Sequence, residues 1–378
     1  MFAVRRFRPK SSSFARGNAT LQQPPSEKKV KPLKTRRPKI SSEYPRTWNR
    51  PLAFGVLPAF DEALKVIKED SVLLKKEVES LKDALKQVEE APEKDEDLVK
   101  VMKEKLSILD VQSEVNFPEV RWKCTNGLAD MSKAVDRHIV EKKWRKEGTL
   151  DLLMERIHQM NVVPDVLPSL HPSFDLRVVF PEAPSTNTTP SSKSGTKYAQ
   201  VEPGIYLTAE QTLSAPTLYA TVFHTDERLY TLMMVDPDVP DVSNQTYQTY
   251  LHWLQPNVRL SATTSSLANL DQHTPYVSPH PQRGTPYHRY VMLLLPQSSE
   301  ISAPKLSMDE RLGFSVRAFM DKYGLDGSVG GGAHMWREVW SEGVSSVYQG
   351  TLKCEEPRFG RPPKRDPYAD IRQKRRYV

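Results

Sequence analysis

The sequence predicts an α+β protein: an N-terminal helical region with a long heptad-patterned helix, an antiparallel β-sandwich with C-terminal helices, and extended basic tails. Three observations predict it. The first is an unbroken 3.5-residue apolar repeat near the start. The second is a switch from helical to strand periodicity after residue 163. The third is charge. Residues 1–50 carry 14 Lys/Arg against two Asp/Glu, and residues 351–378 carry nine against four. The net +7 of the 378-residue chain therefore splits into +12 and +5 at the ends and −10 in the body. Basic ends on an acidic body suit a protein that grips a polyanion.

Residues 1–26 contain Arg5, Arg6, Arg8, Lys10 and Arg16, four serines and no acid. That is the composition of a mitochondrial transit segment, and a basic RNA-binding arm would look the same. Residues 27–58 form a proline-rich basic extension. Its Lys28, Lys29, Lys31, Lys34, Arg36, Arg37 and Lys39 are interrupted by Pro32 and Pro38. Proline blocks a helix and like charges repel, so this ribbon cannot pack by itself. Arg46 and Arg50 flank Trp48, an aromatic among cations, which suits stacking beside phosphates. These nine cations are RNA-contact candidates, and a solvated linker is the alternative.

Residues 59–163 read as helical. Phe60, Leu64, Ile67, Ser71, Leu74, Val78, Leu81, Leu85 and Val88 step by four and three, with Ser71 the one polar slot. This seam needs a partner, either the next helix of the same chain or another chain. Ala91-Pro92 ends the helix. Leu98, Met102, Leu106 and Leu109 predict a second helix. Leu128, Met131, Val135 and Ile139 predict a third, and Thr149 through Ile157 a fourth. The run Lys142-Lys143-Trp144-Arg145-Lys146 fits either an RNA contact or a solvated helix end.

From residue 164 the pattern is β. Strands are expected at 176–180, 199–202, 218–222 and 229–235, and further on through Leu295. Residues 183–197 make a polar loop. A helix is expected from Asp309 and a last one from Met335 to Tyr348. Gly330-Gly331-Gly332 lacks the Lys-Ser/Thr of a phosphate loop and reads as a turn. The basic tail, residues 355–378, adds Arg372, Lys374, Arg375 and Arg376 as further RNA-contact candidates.

The chemistry-bearing residues gather between Tyr230 and Gln297. Asp236 follows an apolar run, breaks it, and precedes a proline. His252, His288 and Tyr290 lie on neighbouring strand-like stretches. Converged, they make a polar nest suited to a small anion, or a hydrogen-bonded set that holds loops in place. No Gly-x-Ser-x-Gly elbow and no nucleophile beside a base marks an enzyme. No His spacing marks a metal site, and no cofactor is expected. Two cysteines far apart form neither a disulfide framework nor a zinc motif. No apolar run reaches the length of a membrane span.

The string Tyr230-Thr-Leu-Met-Met-Val-Asp236-Pro-Asp-Val-Pro240, then His252-Trp-Leu with Asn257, then Tyr276-Val, Pro279, Pro281, Gly284 and His288-Arg-Tyr290, resembles the phosphatidylethanolamine-binding protein (PEBP) family. Phe314, Phe319, Tyr323-Gly-Leu, Trp340, Val344 and Tyr348 continue the resemblance. It implies a PEBP-like domain over residues 164–354. It also implies an anion pocket, here vestigial, lined by Asp236, His252, His288 and Tyr290 with Tyr348 near the mouth. Leu251 and Val239 depart from the family's usual His and Ala and reshape that mouth. With its added ends and helical region, the chain resembles the PEBP-domain proteins of the mitochondrial large ribosomal subunit. That resemblance implies a non-catalytic structural role in the mitochondrial matrix, in or near the central protuberance. The implied partners are large-subunit rRNA and neighbouring mitochondrial ribosomal proteins. The alternative is a stand-alone PEBP-type regulator that binds a phospholipid or anion.

Overall fold

A computed structural model describes residues 45–90, 95–182, 198–263 and 267–360. The chain divides into two units, Met1–Asn49 and Arg50–Val378. Of the first unit, only residues 45–49 are described; they are irregular, with Arg46 exposed. The transit-like start, the cations from Lys28 to Lys39, Ala91-Pro92, the polar loop 183–197 and the last four tail cations lie outside the described residues. The described helices and strands all belong to the second unit.

The heptad helix is α1, Pro58–Glu90. Every predicted seam position is buried or half-buried, and Ser71 and Val78 are fully buried. The partner is the next helix of the same chain, α2 (Glu96–Glu114). Asp95 caps α2 by accepting a hydrogen bond from Leu98 N at 3.1 Å, the usual way to satisfy an orphan amide at a helix start. One position is corrected: Leu98 is exposed, and Val99, Met102, Leu106, Leu109, Val111 and Ser113 are among the α2 residues turned away from solvent. The Lys75–Glu114 and Lys103–Glu89 ion pairs join the two helices at 2.7 and 2.8 Å.

The predicted third helix is also corrected. A helix α3 runs Pro118–Thr125, started by proline at its first turn. Gly127, at φ 73°, ends it, and α4 begins at Ala134 and runs to Lys146. Leu128 and Met131 therefore sit in a turn, which Asp130 organises by accepting from Ser132 N at 3.1 Å. Helix α5 covers Thr149–Gln159, as expected, and a short α6 covers Val162–Asp165.

The β region holds two sheets. Strands β1 (Asp175–Pro181), β2 (Tyr198–Gln200) and β4 (Thr217–Thr221) form an antiparallel sheet in the order β2-β1-β4. Strands β3 (Tyr206–Leu207), β5 (Arg228–Asp241), β6 (Thr246–Leu260), β7 (His288–Gln297) and β8 (Gly332–Glu338) form the larger sheet, ordered β3-β8-β7-β5-β6. The sheet is antiparallel except for β3, which pairs β8 in parallel.

The larger sheet is buried on both faces. Leu232, Met234, Trp253, Met292, Leu294 and Trp336 pack against Leu176, Val178, Phe180 and Leu218 of the smaller sheet. Met233, Val235, Leu251, Val291, Leu293 and Met335 face the other way, onto Leu153 and Ile157 of α5 and onto Val316 and Met320 of α7 (Val316–Tyr323). A strand with two buried faces reads as a continuous apolar run. This explains the main correction. Met335 to Tyr348 is not a helix: Gly332–Glu338 is strand β8, and a short α8 follows at Glu342–Val347. Likewise, residues from Asp309 form a 3-10 turn, and α7 starts later, capped by Ser315.

Candidate functional site

Strand β5 does not stop at Asp236, as the sequence suggested. It continues to Asp241 across a register shift between Asp236 and Val239. Pro237 cannot donate to a ladder, and a bulge is where a sheet tolerates it. The Asp238 amide turns inward and donates to Asp236 Oδ1 at 2.9 Å. The bulge thereby aims the Asp236 carboxylate along the inner face of the sheet.

His288 opens β7 and Tyr290 follows two residues later on the same face. His288 Nδ1 lies 2.7 Å from Asp236 Oδ2. His288 Nε2 lies 2.9 Å from Thr285 Oγ1, whose own hydroxyl donates to the Gln282 carbonyl at 2.7 Å. Thr285 therefore accepts from His288, and both ring nitrogens donate. This arrangement favours the protonated imidazole. Burial works against this charge, but the Asp236 carboxylate and its hydrogen bond outweigh burial and raise the His288 pKa. Burial likewise pushes the Asp236 carboxyl up, and the His288 charge and hydrogen bond hold it below the ordinary carboxylate value. The pair is buried at 1% and 2% exposure.

His252, on β6, is neutral. Burial, and then the neighbouring His280, pull its pKa to about 3. Its Nδ1–H donates to the Val277 carbonyl at 2.9 Å, which leaves Nε2 as an acceptor with no partner among the described residues. The Tyr250 hydroxyl also lacks a partner there. Burial, then the Asp236 charge, push the Tyr290 phenol well above its usual value. The rings are close: His252 to Tyr290 is 5.2 Å between centroids, His252 to His280 4.9 Å, and His280 to Tyr348 5.4 Å.

The structure thus brings together Asp236, His252, His288 and Tyr290, with Tyr348 reaching the group through its hydroxyl, which donates to the His280 carbonyl at 3.2 Å. The cluster is enclosed rather than open. Leu352 packs on Val239, Tyr250 and Val277, and also against Val344 and Tyr348. Phe359 N donates to the Arg283 carbonyl at 2.7 Å, laying the chain after α8 along the loop before β7.

Sequence reasoning missed three members. His280 stands in a proline-rich loop and donates Nδ1–H to the Ser278 carbonyl at 2.9 Å. Arg311 is 2% exposed and donates to the carbonyls of His252 and Pro275, both at 2.9 Å. Glu338 lies opposite His288 across β7 and β8, and the helix expected over its strand hid it. Thr285, the hydroxyl bonded to the Asp236–His288 pair, spends its proton on Gln282 and is not activated as a nucleophile. A cavity of about 490 Å³ lies elsewhere, between α4 and the β1–β4 sheet, lined by Cys124, Met131, Lys143, Trp144 and Phe223. It holds none of the clustered histidines.

Of the two RNA-contact candidates among the described residues, Arg46 is exposed. Arg50 pairs with Asp61 and lies over the rings of Phe54 and Phe60, at 5.6 and 5.3 Å from their centroids.

Residues 191–332 match the family model described as phosphatidylethanolamine-binding protein. Asp236, His252, His288 and Tyr290 fall inside that span. The large ribosomal subunit protein mL38 of Schizosaccharomyces pombe is 30% identical over 239 residues, covering 61% of this chain and 70% of that protein. Among solved structures, a carboxypeptidase Y inhibitor in complex with its cognate proteinase is 19% identical, covering 52% of this chain and 96% of its own, at a TM-score of 0.33. A phosphatidylethanolamine-binding protein from Plasmodium falciparum is 17% identical, covering 49% and 96%, at a TM-score of 0.31. With its central domain matched by the family model and 70% of a named protein's length aligned at 30% identity, the chain belongs to the mL38 family of PEBP-domain proteins.

Proposed function

We propose that this chain is a structural, non-catalytic component of the mitochondrial large ribosomal subunit and supports translation in the mitochondrial matrix. The identity to mL38 of S. pombe over 239 residues carries the reading. The charge partition supports it independently, with +17 at the two ends and −10 between them. In this reading the basic ends contact large-subunit rRNA, and the acidic body, helical region and sandwich, meets neighbouring ribosomal proteins. Gradient sedimentation of mitochondrial lysate tests it. The protein is expected to run with the large subunit, and migration as a free monomer would overturn the reading.

A second reading, retention of a small-anion site, is favoured by one observation. Two buried polar atoms in the cluster, His252 Nε2 and Tyr250 OH, have no partner among the described residues. Buried polar groups are seldom left so. Calorimetric titration with inorganic phosphate tests this, with His252→Ala expected to abolish any heat of binding.

A further inference from the structure

We propose that the outer face of α4, carrying Lys142, Arg145 and Lys146, is an RNA-phosphate docking face, separate from the basic ends. This rests on the mitoribosomal reading above and adds a contact from the helical region. The run from Lys142 to Lys146 fits an RNA contact or a solvated helix end in sequence, and the fold shows which of its residues face outward. Trp144 is 4% exposed, and its ring lies 5.7 Å from that of Phe223, tilted by 42°. The apolar member of the run is thus wedged against the sandwich. Lys142, Arg145 and Lys146 are exposed.

His138, Lys142 and Lys146 recur every fourth residue, one row along the helix at about 6 Å per step. With Glu141 and Arg145 they line a shallow concavity of about 370 Å³. Arg145 is paired with Glu141 at 2.9 Å and lies 5.3 Å from the centroid of the Trp144 ring. Lys142 and Lys146 have no ion pair or hydrogen bond among the described residues. Cations near a helix C-terminus are favoured by the helix dipole, but that effect is confined to the last turn, and Lys142 lies before it. Two unpaired lysines, Lys142 and Lys146, on a body of charge −10 are where a polyanion would touch that body. A lipid surface fits less well, because a membrane-lying helix needs exposed apolar residues beside its cations, and Ile139 and Val140 are half-buried.

The experiment uses the full chain and a fluorescein-labelled RNA duplex, with anisotropy followed through a potassium chloride series. Each phosphate contact contributes about 0.9 to the slope of log affinity against log salt. The double variant Lys142→Ala/Lys146→Ala is expected to lower that slope by about 2 and to weaken binding about tenfold at the low-salt end. The control Lys65→Ala/Lys68→Ala, on α1, is expected to keep the wild-type slope. Near-ultraviolet circular dichroism checks that Trp144 keeps its packing. A wild-type slope in the α4 variant overturns this proposal alone, as does an equal loss in the control. Failure of the wild-type chain to bind RNA overturns it together with the ribosomal reading. Loss of binding to phosphatidylserine vesicles without any change on RNA assigns the face to a membrane and overturns it as well.

Discussion

Glu338 is fully buried at the edge of the histidine cluster, without a cation of its own among the described residues. It accepts from Trp336 Nε1 at 2.9 Å and from Thr212 Oγ1 at 3.2 Å. Burial, only partly offset by these two hydrogen bonds, pushes its pKa from 4.5 to about 8. Below pH 4.5 the group is protonated folded or unfolded and costs nothing. Between pH 4.5 and 8 the unfolded chain ionises while the folded one resists, so stability falls as pH rises, by at most about 1.4 kcal/mol per unit. Glu338→Gln keeps the shape and the hydrogen bonds without the charge. It is expected to raise the melting temperature at pH 8 by about 5 °C or more and to leave it nearly unchanged at pH 5. Equal shifts at the two pH values would refute the assignment. Asp236, His288 and Tyr290 were legible because they adjoin a proline or a strand start; His252 stands mid-strand on β6 and was legible as a histidine inside an apolar run. Glu338 was not, because its strand carries apolar residues on both faces and gives no alternation to read.

At the scale of elements, the chain after α8 acts as a strap over the cluster. Glu356 accepts from Trp340 Nε1 at 2.5 Å and from Ser345 Oγ at 2.8 Å, and Arg283 lies 4.6 Å from the centroid of the Trp340 ring. Gly284 permits the closure. Its φ is +91°, and a Cβ there would sit 1.8 Å from the Phe359 carbonyl oxygen, a backbone atom that cannot turn aside. Gly284→Ala is therefore expected to lift residues 358–360, lose amide-exchange protection at Phe359, and destabilise the fold by about 1–3 kcal/mol. Unchanged exchange at Phe359 would show that the strap is not held this way. None of this is readable from sequence, since the contact joins positions 75 apart. The α1 seam was readable because its repeat is one-sided and long. The third helix was misplaced because the apolar residues Leu128 and Met131 fall at helical spacing just past Gly127, whose positive φ breaks the helix.

At the scale of the whole molecule, charge is partitioned between basic ends and an acidic body. Residues 361–378 carry seven Lys/Arg against two Asp/Glu. If those cations meet phosphates, each contact releases counterions and contributes about 0.9 to the salt slope. Deleting residues 361–378 removes the segment that follows the strap and leaves Phe359 and its hydrogen bond to Arg283 in place. The domain should then fold as before, with an unchanged melting temperature, while association with large ribosomal subunits weakens. In a sedimentation series, the truncated chain is expected to leave the large-subunit fraction at a lower salt concentration than the full chain. The N-terminal extension, with its seven cations between Lys28 and Lys39, would carry more of the remaining attachment. Adding Lys28→Ala, Lys29→Ala and Lys31→Ala to the truncation should then cost more affinity than the same changes in the full chain. Identical salt profiles for full and truncated chains would remove the tail from the RNA interface and leave the extension and the α4 face to account for attachment.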